Sequence, residues 1–166
     1  MEECKWLPAF YPYPDWNDYA NYEETLYTYF KINYLHVRRT FLDHNLQFRR
    51  YPNIDGKEES FYHFTCKNYF NVNDRQPDPD RIIRLPWVGA YLDHTQCIDN
   101  CCNDKPLFWK KLKNKYYRYY IYFRRYLVII EKRPSYFLMI SGFYVSKEYE
   151  HRDLIADAFK TENAIF

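Results

Sequence analysis

LFWKKLK-NK-YYRYYIYF-RR-YLVIIE-KRPS-YFLMISGFYV, the stretch from Leu107 to Val145, decides how this chain folds. Its runs of aromatic and branched residues are separated by short polar connections, which is the pattern of consecutive strands. The predicted strands are Leu107 to Lys113, Tyr116 to Phe123, Tyr126 to Glu131 and Tyr136 to Val145. Asn114-Lys115, Arg124-Arg125 and Lys132 to Ser135 connect them. Alternation puts Arg118, Tyr120 and Tyr122 on one face of the second strand and Tyr117, Tyr119 and Ile121 on the other.

Outward from this block the periodicity changes. Tyr149 to Phe159 reads as a closing helix. Upstream, Tyr19, Tyr22, Leu26, Phe30 and Tyr34 recur at spacings of three and four. With Asp15 as N-cap, they predict a helix from Trp16 to between Asn33 and Leu35. Before it, the Pro- and aromatic-rich opening is extended. Leu46 to Tyr51 reads as a strand, Pro52 to Gly56 as a turn and Lys57 to Lys67 as a short helix. Asn71 to Asp80 is a predicted loop, Arg81 to Asp93 a helix disturbed at Pro86, and His94 to Pro106 an irregular insert. The expectation is one α+β domain over residues 1–166. In it, N-terminal helices pack on a four-stranded antiparallel β-meander, with a short C-terminal helix.

Composition narrows the function classes. Only 3 Gly occur, against 20 Tyr, which argues against Gly-rich phosphate loops and dinucleotide folds. No run of about 18 uncharged apolar residues is present, so no membrane partner is expected. The acidic start at Glu2-Glu3 is unlike a signal peptide, and five Cys fit a reducing compartment, so the expected location is cytoplasmic. The net charge of +2 hides an asymmetry. From Lys105 to Arg133 there are ten Lys or Arg and one acid, Glu131, while the remainder is acidic. Such a split is the footprint of a protein that meets a polyanion.

The basic stripe Lys110, Lys111, Lys113, Lys115, Arg118, Arg124 and Arg125 alternates with Trp109, Tyr117, Tyr119 and Tyr122. Cations on one strand face can hold phosphates, and aromatics there can stack bases. A solvated sheet face is the competing structural reading. His94, Cys97, Cys101 and Cys102 hold four possible zinc donors, but four ligands within nine residues are cramped, and no metal or other cofactor is assigned.

Three blocks are familiar together. They are DGKEESFYHFT from Asp55, RIIRLPW from Arg81 and RPSYFLMISGFYV from Arg133. The chain resembles phage- and plasmid-associated small proteins grouped with the barnase/EndoU/colicin/RelE-like (BECR) ribonucleases. The resemblance implies metal-independent RNA cleavage, often by toxins acting on tRNA or other translation RNA. It also implies a possible antitoxin or a host or phage protein as partner.

On that resemblance the catalytic candidates are His63, Ser141 (where a Thr is expected) and His151. The candidates for RNA binding are Arg50, Lys67, Trp109, Lys111, Lys113, Arg118, Arg125 and Tyr144. Imidazole suits acid and base roles near neutrality. Each candidate also has a plain structural reading: a satisfied His, a sheet hydroxyl bonded to backbone, a solvent-facing helix His. A phage-encoded binding protein without catalysis is the alternative function. DNA reading is weaker, because no basic recognition helix is evident.

Overall fold

The computed structural model describes residues 4–68, 74–97, 101 and 103–165. Asp15 caps a 3-10 turn at Trp16–Asp18 by accepting the Asn17 amide at 3.0 Å. Helix α1, Tyr19–Phe30, follows and buries Leu26 and Phe30. Its continuation, Lys31–Leu35, widens into a π-type turn that buries Tyr34 and Leu35.

The sheet has six strands: β1 Arg39–Phe41, β2 His44–Phe48, β3 Leu107–Lys113, β4 Tyr116–Phe123, β5 Tyr126–Lys132 and β6 Phe137–Tyr144. Their spatial order is β1-β2-β6-β5-β4-β3. The meander of β3 to β6 is antiparallel, as its short connections require. However, β2 pairs with β6 in parallel, setting Leu46 opposite Phe137 and Phe48 opposite Met139. The sheet is therefore mixed and six-stranded, which corrects the expected four-stranded antiparallel meander. The difference comes from the β1–β2 hairpin. Its turn, Leu42-Asp43, takes positive φ at both residues (46° and 65°) without the Asn or Gly that normally announces such a turn. The strand predicted over Leu46 to Tyr51 starts earlier and stops at Phe48.

The other elements differ at their ends. Lys57–Glu58 pair with Asn53–Ile54 in a small ribbon, and helix α2 covers only Glu59–Thr65. Cys66–Lys67 then pair with Gln76–Pro77, inside the segment expected to be loop; residues 69–73 lie outside the described residues. The helix expected over Arg81 to Asp93 is two, α3 Pro79–Ile82 and α4 Leu85–Asp93, with Pro86 in the first turn of α4, where its missing N–H costs nothing. Helix α5 is Glu148–Ala158.

The main core lies between α1, α2, α4 and one sheet face, which contributes Tyr119, Ile121, Val128, Ile130 and Met139. Rings carry much of it; Phe30 meets Phe48 and Phe61 edge to face at 5.7 and 5.5 Å. On the opposite face, Trp109, Tyr122, Leu127 and Val145 form a smaller cluster under Leu154, Ile155 and Ala158 of α5. This arrangement confirms the alternation read from the sequence. Gly142 serves ring packing here: a Cβ at this position would lie 2.5 Å from the Tyr126 hydroxyl and 3.1 Å from the Phe64 ring. Among the described residues no helix is long and apolar enough to cross a membrane.

Candidate active site

Beyond Met139 the β2 strand has ended, so the edge of β6 is open to other partners. The β5–β6 register also shifts here: Met139 faces Ile130 and Ser141 faces Ile129, leaving Ile140 as the extra residue of a bulge. Helix α2 packs against this opening. His63 Nδ1 lies 3.1 Å from the Ile140 carbonyl. A carbonyl only accepts, so Nδ1 carries the hydrogen. In the neutral ring Nε2 therefore keeps its lone pair, 3.8 Å from a Glu59 carboxylate oxygen. The backbone of the same residue is held as well. Its carbonyl accepts from Arg81 Nη1 at 2.9 Å and from Ser141 Oγ at 3.4 Å. Burial pushes the His63 pKa below its ordinary 6.5, and Arg49 and Arg81 act in the same direction, against the Ile140 carbonyl and Glu59.

His63 opens into a cavity of about 380 Å³, lined also by Arg49, Ser60, Lys113, Arg118, Met139 and Ile140. The cations come from separate parts of the chain. Arg49 follows the end of β2, Lys113 ends β3, and Arg118 reaches in from β4, oriented by Glu131 at 2.9 Å. Ser60 shares a face of α2 with His63 by its three-residue spacing. Its side chain is nearly sealed, with the residue 3% exposed, and its hydroxyl has no hydrogen-bond partner among the described residues. A buried hydroxyl left without a partner beside a cavity calls for an explanation.

The structure brings together His63, Lys113 and Arg118 of the residues singled out from the sequence. It places the others elsewhere. Ser141 is buried behind His63 and spends its hydroxyl on that residue's carbonyl, so it positions the site and does not line it. His151 lies in a different cavity of about 360 Å³ with Arg125 and Phe159, its Nδ1 2.6 Å from the Tyr122 hydroxyl; among the described residues none lines both cavities. The expectation that His151 shares the His63 cleft is corrected by α5, which packs over the Trp109 end of that sheet face.

Trp109 is 1% exposed and stacked on Tyr120, so its ring is closed to a base. Lys111 is paired with Asp157 at 2.8 Å, and Arg125 with Glu148 at 2.5 Å. Tyr144 lies under the Arg84 guanidinium at 4.1 Å, and Lys67 is exposed in its ribbon, away from the cavity wall. Arg50 donates to the Leu35 carbonyl at 2.5 Å, so in place of Arg50 it is Arg49 that reaches His63.

Arg49, Ser60 and Arg81 were not picked out from the sequence. Strand alternation carried past Phe48, which faces the core, would have put Arg49 on the opposite face, and Ser60-x2-His63 is a helical spacing.

At the insert, Cys97 Sγ accepts the Trp6 indole N–H at 3.1 Å, and Trp6 stacks on His94 at 4.8 Å. Cys101 Sγ accepts the Lys5 amide at 3.3 Å, and Cys102 lies outside the described residues. Among the described residues no group of three or more side chains is placed to hold a metal ion. Comparison with known protein families, with curated proteins and with solved structures finds no match to this chain.

Proposed function

We propose that this chain is a metal-independent endoribonuclease of toxin or effector type, with the His63 cavity as its active site. The observation that carries the reading is a pinned imidazole, biased toward its neutral form, on a wall shared with Arg49, Lys113, Arg118 and the unpartnered Ser60 hydroxyl. In this reaction the 2′-oxygen attacks the adjacent phosphorus, and its proton passes to His63 Nε2. The bond from phosphorus to the 5′-oxygen breaks, and that oxygen leaves with a proton, for which Lys113, on the same cavity wall, is the candidate donor. The products are a 2′,3′-cyclic phosphate and a 5′-hydroxyl. Charge gathers on the non-bridging oxygens as five bonds form at phosphorus. On this reading the Arg49 and Arg118 guanidinium groups of the wall would offset that charge, and such preorganised donors are often the larger part of catalysis. A nucleophile on the ribose would spare DNA. The RNA of translation, tRNA included, is the proposed substrate class.

The test is incubation of end-labelled RNA with wild-type and His63→Ala protein in the presence of a chelator. Cleavage by the wild type alone, ending in a 2′,3′-cyclic phosphate, is expected. Equal cleavage by both proteins removes His63 from the reaction.

A second reading has its own support. Among the described residues one imidazole lines the cavity, because His151 is elsewhere. A binding protein without catalysis, occupying RNA or inhibiting a host complex, would need no second acid–base group. Tight RNA binding with intact RNA after long incubation would favour it.

A further inference from the structure

The His63 cavity is one of three that adjoin. It shares Arg49 with a cavity of about 400 Å³ that runs past Tyr51, Arg133 and Tyr136. That cavity in turn shares Gln47, Phe48 and Arg50 with a third, of about 340 Å³, beside Arg38 and Arg39. Among the described residues no carboxylate lines any of the three. The chain otherwise carries 22 Asp and Glu, so a wall without acids is a selective feature. One buried carboxylate organises two of the cations from behind. Glu131, 5% exposed, holds Arg118 at 2.9 Å and Arg133 at 2.7 Å, and these two arginines line adjacent cavities. In the middle cavity Tyr51 is 76% exposed, an open ring on a wall shared with Arg49, Arg50 and Arg133.

We infer that these three cavities form one track for a single-stranded RNA segment, running from His63 past Tyr51 to Arg38. The inference rests on reading the His63 cavity as an RNA site and adds the form of the substrate. Cations spaced along a trough follow a phosphate backbone, and their contacts release counterions. An exposed tyrosine ring gains a stacking partner only from an unpaired base; in a duplex the faces of the bases are already stacked on one another. An acidic protein segment would match the charge but would leave the Tyr51 ring without a flat partner. The track therefore fits a single strand better than a helix or a peptide.

The experiment uses full-length His63→Ala protein, so that bound RNA stays whole, and measures fluorescence anisotropy. The probes are an unstructured RNA of about 12 nucleotides, the same sequence as a duplex, and polyglutamate. The single strand is expected to bind tightest. Tyr51→Ala is expected to weaken its binding by about tenfold, and Tyr51→Phe to retain it, because stacking uses the ring. Arg38→Ala should reduce the slope of log affinity against log salt by about 0.7. Binding of the duplex or of polyglutamate as tight as the single strand overturns the track, as does single-strand binding indifferent to both Tyr51→Ala and Arg38→Ala. Cleavage is measured separately on protein with His63 intact. Cleavage without the Tyr51 and Arg38 dependence leaves the nuclease reading and removes the track. The dependence without cleavage leaves the track and removes the nuclease reading.

Discussion

His63 gives its Nδ1 hydrogen to the carbonyl of Ile140 at 3.1 Å, the residue that β6 carries in excess over β5. A sheet irregularity thus fixes the tautomer of a helix side chain distant in sequence. The backbone carbonyl at the bulge holds one ring nitrogen, and the Glu59 carboxylate lies 3.8 Å from the other.

A pH profile follows from this setting. Burial, with Arg49 and Arg81, keeps the His63 pKa below 6.5, so the proposed base would stay neutral into mildly acidic solution. The acid limb of kcat/KM for RNA cleavage is expected to bend below 6.5, and a bend above it would contradict the assigned environment. Stability carries the same sign. Below 6.5 the unfolded chain takes up a proton that folded His63 resists, so the fold weakens as pH drops from 6.5 toward the lower folded value. His63→Gln should lose less stability than wild type between neutrality and about pH 5 in urea titrations.

Neighbouring lysines should behave differently. Lys111 is tied to Asp157 of α5 at 2.8 Å, whereas Lys113 lines the His63 cavity. Lys113→Ala is expected to weaken RNA binding and reduce its salt slope by about 0.7. Lys111→Ala should change affinity little and cost about 0.5 kcal/mol of stability, since its pair is only partly shielded from water. Anisotropy and thermal melts on both variants check this. The reverse ranking would place the phosphate contact on the wrong lysine.

Gly142→Ala should destabilise the fold by about 1–3 kcal/mol, the usual cost of forcing an extra methyl into a packed core. The new Cβ would come within 2.5 Å of the Tyr126 hydroxyl, on a ring fully enclosed by the core. A Tm lower by several degrees is expected; an unchanged melt would show that the ring has room to move.

The β1–β2 turn offers the opposite effect. Leu42 and Asp43 hold positive φ, where a Cβ crowds the backbone carbonyl; Gly escapes that cost and Asn bears it better than Leu. Leu42→Asn combined with Asp43→Gly suits that turn and should stabilise the protein by about 1 kcal/mol. Thermal melting of the double variant measures it, and a lower Tm would argue against this hairpin.

The meander was legible because each of its strands alternates strongly and its turns are short. The bounds of Leu107–Lys113 and Tyr116–Phe123 follow from the residues alone. The hairpin of Arg39 to Phe48 was not, since its strands are short and polar and its turn lacks Asn and Gly. Of the site, His63 was readable within its block, and Lys113 and Arg118 within the basic stripe. Arg49 was passed over for its neighbour Arg50, because the choice between adjacent arginines depends on where β2 stops.

By itself the sequence determined the local pattern: α+β class, strand faces, the closing helix and the excess of cations on late strands. These follow from periodicity and composition, which act between near neighbours. Only the tertiary structure decided that β2 inserts beside β6, that a bulge turns the Ile140 carbonyl toward His63, and which cations face one cavity. Those outcomes come from contacts between segments far apart in the chain, where packing and register, not local preference, select the partner.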